Sequence, residues 1–147
     1  MMILGHPETN SILHRYMYGG PGTLGPYWEE GRSIVTNLYR EIHPPTVLYE
    51  DVTRYFFPRE SESGKREKIV EIPGKMTWES LEAYFGTFSS YHGWQHAFPD
   101  KKSRKNAGSG DIGDEMFDAL KKATGWGEDT EFDVEWPSTI LLARKNI

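Results

Sequence analysis

The chain has 147 residues, enough for one domain with a real core, and carries a net charge of −5. That charge argues against nucleic acid as a partner, because neutralising phosphates takes clustered Lys and Arg. With no cysteine, disulfides, thiolate zinc sites and a Cys nucleophile are excluded, while 14% aromatic residues against a hydrophobic total of 37% point to a core built from rings.

From the N-terminus, MMILGHPETN is too short and too lightly charged to read as a signal peptide. No apolar run approaches the ~20 residues of a membrane span. A cytoplasmic protein away from the membrane is therefore expected. Met1–Leu4, closed by Gly5, fits a short buried strand, and Thr9 or Asn10 is placed to cap a helix over Ser11–Tyr18. The Gly- and Pro-rich stretch Gly19–Pro26 breaks regular structure. Ile34, Val35, Leu38 and Ile42 then recur at helical spacing, predicting a helix over Tyr27–Ile42 that Pro44 and Pro45 stop.

Val47–Phe57 is rich in β-branched and aromatic residues and reads as a strand. The charged stretch Arg59–Lys68 reads as an exposed turn, and Ile69–Ile72 as a second strand beside the first. Thr77 is a natural N-cap for a helix over Trp78–Phe98, in which Leu81, Tyr84, Phe85, Phe88, Tyr91 and His92 share one face. Gly86 and Gly93 each cost about 1 kcal/mol against Ala in a helix interior, which suggests a kink, close packing or close approach of a ligand.

Pro99–Gly110 reads as a mobile basic loop, and its Lys101–Lys105 run as solvated. Asp111 is expected to cap an amphipathic helix with Ile112, Met116, Phe117 and Leu120 inward. Lys121 and Lys122 suit the dipole of its last turn, and Gly125 ends it. Phe132, Val134 and Trp136 alternate, Pro137-Ser138 marks a turn, and Thr139–Ala143 is apolar, together predicting a terminal hairpin.

Two motifs invite chemistry and resolve to plainer roles. Gly20–Gly25 matches G-x-G-x-x-G by letter, but a helix rather than a strand precedes it and Pro21 and Pro26 remove two N–H donors, so it reads as a turn. His92 and His96 sit one helical turn apart, yet the residue after His92 is Gly and no third ligand is fixed by the sequence, so no metal site is expected. The acid–base candidates are His6, Glu29, Glu30, His92 and the tyrosines. No Ser–His–Asp arrangement follows from spacing.

Three ordered stretches nevertheless carry a family likeness: Leu24–Ser33 (LGPYWEEGRS), Thr77–Tyr84 running into Thr87–Trp94 (TWESLEAY, TFSSYHGW), and Trp136–Lys145 (WPSTILLARK). In these the chain resembles the C-terminal half of class I S-adenosylmethionine-dependent methyltransferases of the trans-aconitate-methyltransferase-like branch. The resemblance implies an α/β protein, a single domain over 1–147: a truncated doubly wound sheet, α+β-like in what remains, with a helical cap and a C-terminal antiparallel hairpin. Met1–His6 would correspond to the family's fifth strand, so the family's cofactor residues have no counterparts here and no cofactor is expected. What carries over is the substrate side: Tyr27, Trp28 and Arg32 in the first stretch, and Tyr84, Phe88, Ser89 and Trp94 in the second, with Tyr91 and His92 as the polar groups able to polarise a substrate carbonyl. An uncovered sheet edge is an association hazard, which leads to a homodimer, or a rearranged packing that covers the fifth strand, as the expectation. The function expected first is small-molecule binding or a cofactor-independent reaction, an isomerisation or pericyclic cyclisation of an apolar natural-product intermediate held in a reactive fold. A subunit or fragment of an O-methyltransferase and a non-catalytic interaction module are the alternatives.

Overall fold

A computed structural model describes residues 1–60, 66–67 and 74–146. It is a mixed α/β fold of five helices and antiparallel sheets, divided into two compact units. One, the core unit, comprises Met2–Glu29 and Pro73–Glu135; the other, the ribbon unit, comprises Met1, Glu30–Ile72 and Trp136–Ile147.

In the core unit the sheet is three-stranded, with β6 (Glu131–Glu135) between β1 (Met2–Ile3) and β5 (Lys75–Thr77). Both pairings are antiparallel, with Ile3 opposite Val134 and Met76 opposite Phe132. Alternation buries Phe132 and Val134 on one face, as the period of a strand requires. The outer edge of β1 is closed by a side chain. Asn10 accepts from the Ile3 N–H at 2.8 Å and donates to the Ile3 carbonyl at 2.8 Å, filling the place of a neighbouring strand. The edge that led to an expected dimer is covered there.

Helix α1 (Pro7–Tyr18) begins earlier than the Thr9 or Asn10 cap implies. Pro7 supplies the first turn, where its missing N–H costs nothing, and Thr9 is buried with its hydroxyl on the His6 carbonyl at 2.6 Å. The turn that follows is held by Leu24, fully buried, and by Gly25. A Cβ on Gly25 would lie 1.9 Å from the Gly19 carbonyl oxygen, so only glycine fits.

The single helix expected over Trp78–Phe98 is two. α3 (Trp78–Gly86) opens on the expected Thr77 cap, in a capping box with Ser80; α4 (Ser89–Ala97) follows after a break at Thr87 and Phe88. Gly86 weakens the helix at that point, Thr87 turns its hydroxyl back on the Tyr84 carbonyl at 2.7 Å, and extended Phe88 drops its ring into the core. Gly93 faces Tyr27 so closely that a Cβ would stand 3.2 Å from the Tyr27 Cβ. The last helix, α5 (Ile112–Thr124), matches its expectation: Ile112, Met116, Phe117 and Leu120 are buried, and Gly125 closes it in the left-handed region at φ 70°.

The ribbon unit holds α2 (Arg32–Thr36), the long strands β2 (Tyr49–Phe57) and β7 (Ser138–Lys145), and the short pair β3 (Arg59–Glu60) and β4 (Arg66–Glu67). The helix expected over Tyr27–Ile42 is cut to one turn and a half. Tyr39 N–H reaches back to the Ile34 carbonyl at 2.9 Å while Leu38 and Tyr39 take φ of 55°, a closure that ends helices. Val35 and Ile42 stay more than 40% exposed, so the apolar spacing finds nothing to pack on within that helix.

β2 and β7 pair antiparallel from Tyr49 opposite Lys145 to Phe57 opposite Ser138, with a bulge between Glu50 and Thr53. The expected terminal hairpin is therefore absent: both strands form, but β6 pairs with β1 and β5, and β7 with β2. Pro137-Ser138 has no residue suited to the positive φ of a tight hairpin turn, so the chain leaves one sheet and enters another. Every described strand pair is antiparallel, where a doubly wound sheet would be mostly parallel. Of the exposed turn expected over Arg59–Lys68, Arg59–Glu60 and Arg66–Glu67 form the antiparallel β3–β4 pair, while its other residues and the strand expected over Ile69–Ile72 lie outside the described residues.

Candidate functional site

The buried carboxylate of Asp111 organises a cavity of about 410 Å³ in the core unit. Asp111 caps α5 because its short carboxylate reaches the first free N–H groups of the helix: Oδ1 accepts from Gly113 at 2.9 Å and from Asp114 at 3.1 Å. Asp114 returns the bond, its Oδ2 accepting from the Asp111 N–H at 3.0 Å. The second oxygen, Oδ2, faces α4 and accepts from the Tyr91 hydroxyl at 2.5 Å. One residue thus caps a helix and joins it to another.

That bond fixes the chemistry of Tyr91. Burial first, then the hydrogen bond to Asp111 and the charges of Asp111 and Asp114, raise the phenol well above the ordinary tyrosine value, against an opposing contribution from Gln95. The hydroxyl therefore stays protonated with its proton given to Asp111. The proton that the expected donation to a substrate carbonyl would use is engaged by Asp111, and the phenol oxygen, on which Gln95 also acts as a donor, remains an acceptor. His92, the next residue, is exposed on the cavity wall.

The floor is aromatic. Phe85 from α3 and Phe117 from α5 meet edge to face with centroids 5.7 Å apart, and Tyr91 stands 5.0 Å from Phe85. A further wall comes from the loop before α5, through Ser103, Lys105 and Asn106. The Lys101–Lys105 run expected to be solvated is in part anchored. Lys105 Nζ donates to Glu82, whose other oxygen accepts from Trp78 Nε1 at 2.9 Å, and Arg104 pairs with Asp114 at 3.2 Å and Asp118 at 2.8 Å. Burial works to raise Asp114, but the N–H groups of Arg104 and Asp111 and the Arg104 guanidinium outweigh it and hold the carboxyl below its ordinary value.

Of the residues expected from sequence, Tyr91 and His92 come to this cavity. The others lie elsewhere, mostly in ring packing. Trp28 donates Nε1 to the Met17 carbonyl at 2.6 Å and lies 5.3 Å from Phe88, which also meets Tyr84 at 5.0 Å. Trp94 is buried, its Nε1 on the Gly22 carbonyl at 3.2 Å and its ring 4.8 Å from Phe98, which Tyr27 approaches at 6.4 Å. That contact uses the G-x-G-x-x-G turn for packing. Ser89 is exposed at the start of α4, and Arg32 opens α2 in the ribbon unit. Sequence reasoning passed over Asp111, Asp114, Glu82, Gln95 and Lys105 as cavity residues. Asp111 was visible as a cap, but nothing local says that Tyr91, 20 residues away, would meet it.

Among the described residues no group of three or more His, Asp or Glu is placed to hold a metal ion, and no helix is long and apolar enough to cross a membrane. Fold and cavity define a small mixed α/β protein with a ligand-sized pocket at a helix junction. No family model matches the chain.

Proposed function

We propose that the protein binds a small molecule in the cavity between α3, α4 and the start of α5, on a scaffold descended from the substrate side of a class I methyltransferase. The observation that carries the binding reading is the cavity itself. Its roughly 410 Å³ falls in the range of small-molecule sites, about 300–1,000 Å³, and it combines an aromatic floor with a few converging polar groups. The descent is supported by the sequence likeness, whose second stretch supplies the α3 and α4 walls; the antiparallel pairing of the described strands does not speak for it.

The cavity supports binding more directly than catalysis, since the proton of Tyr91 is engaged by Asp111. In this reading His92 is the group left for proton transfer, should an isomerisation or cyclisation take place there. Ligand-observed NMR with a fragment library on the wild-type chain and on Gly86→Phe tests the site. A Cβ at Gly86 meets no atom within 4 Å and Gly86 borders the cavity, so a Phe ring there is expected to fill it, with far-ultraviolet circular dichroism checking that the fold holds. Fragment binding is expected to vanish in the variant. Equal binding by both proteins would refute the site.

A further inference from the structure

We propose that this cavity selects an organic cation, an ammonium carrying an apolar group, over a carboxylate or a neutral molecule of the same shape. The inference rests on the cavity being the ligand site. Its lining carries three carboxylates, Glu82, Asp111 and Asp114, against one ammonium, Lys105. Lys105 is engaged by Glu82, and Arg104 compensates Asp114. Asp111 is different. It is 1% exposed, and among the described residues no cation pairs with it; its partners are the Tyr91 hydroxyl and two backbone N–H groups.

Such donors, at the N-terminus of α5, offset roughly half of the carboxylate charge and leave the rest, which in a poorly hydrated interior acts over a longer range than in water. Its route into the cavity is Tyr91. A phenol that donates to an anion has electron-rich lone pairs, since chained hydrogen bonds polarise one another. The lone pair that Gln95 leaves open can accept from an N–H⁺, with the Asp111 charge behind it. Phe85, Phe117 and Tyr91 line the cavity, and aromatic rings attract cations more strongly where water is excluded. A carboxylate ligand meets the opposite field at these points.

The test uses three probes of one shape, 3-phenylpropylamine, 3-phenylpropanol and 3-phenylpropionate, titrated into the full chain at pH 7 and low salt. The amine is expected to bind on the order of tenfold more tightly than the carboxylate. Asp111→Asn, which keeps a competent helix cap, should shrink that ratio several-fold. Tyr91→Phe, which removes the relay and keeps the ring, should shrink it too. If the carboxylate binds as well as the amine, and Gly86→Phe abolishes both, the cavity stands and the charge selection is overturned. An amine preference unchanged in both Asp111→Asn and Tyr91→Phe also overturns it, since the preference would then come from the overall charge of the chain. If no probe binds at millimolar concentration, the site reading fails and this inference goes with it.

Discussion

The two units solve the same problem with unequal means. In the core unit rings close over one another: Phe85 packs with Phe88, Tyr91 and Phe117, and the buried apolar side chains described for the chain, from Ile3 to Val134, all belong to it. Among the described residues the ribbon unit buries none, and eight of the nine exposed large apolar residues are its own, Val47 at 81% and Leu142 at 54% among them. Its order comes from the β2–β7 ladder and from polar ties: Arg144 on Glu50 and Asp51, Arg54 on the carbonyls of Arg40 and Ile42, and Arg40 over the Phe56 ring. A two-stranded ribbon is marginal in water without a packed face. A cavity with fixed walls therefore belongs where the packing is, in the core unit.

The largest effect should separate the units most sharply. Phe85→Ala, a buried ring in three aromatic contacts, should cost about 3–5 kcal/mol in urea denaturation, whereas Leu142→Ala should stay within about 0.5 kcal/mol. Comparable costs would erase the distinction drawn here. Next comes the junction of α4 with α5. Tyr91→Phe leaves one oxygen of buried Asp111 without its donor, a loss of about 1–3 kcal/mol. The wild-type protein should show the same bond in ultraviolet titration of its eight tyrosines. Tyr91 should ionise above the ordinary tyrosine value, and its share of stability, complete below the unfolded value of 10.0, should fade as pH climbs toward its raised folded value.

At the acid end, Asp114 works in the opposite sense. Its folded pKa lies below the ordinary 3.8, so its contribution is present above that value and is lost as pH falls through the folded one. Acid unfolding of Asp114→Asn should accordingly show a weaker dependence on pH in that window than wild type. Smallest of all, Lys105→Ala removes an exposed pair with Glu82 and should cost no more than about 1 kcal/mol, diminishing with salt.

What could be read from the chain alone was mainly local. The caps at Thr77 and Asp111, the stop at Gly125 and the inward face of α5 were legible because each depends on residues within a turn or two. The failures share a cause as well. The helical spacing of Ile34, Val35, Leu38 and Ile42 was real, but a helix needs a surface to pack on, and Val35 and Ile42 remain exposed. The pattern through Leu81, Phe85 and Phe88 hid a break, since Phe88 is buried just as well from an extended cap. Strand partners followed the same logic: β6 and β7 were each recognisable, while their pairing with β1, β5 and β2 is settled far along the chain. The site was half legible. Tyr91 and His92 were named, but the aromatic residues expected to line a pocket, Tyr27, Trp28, Tyr84, Phe88 and Trp94, are spent on packing, and the carboxylate that anchors Tyr91 looked like an ordinary cap.

The most direct test of where function lies is backbone amide shift mapping on the isotope-labelled full chain during titration with 3-phenylpropylamine. The account predicts perturbations centred on Gly86, Tyr91, His92, Gln95 and Gly113, with the strands of the ribbon unit unmoved. Shifts centred instead on Val52, Tyr55 and Leu142 would contradict it.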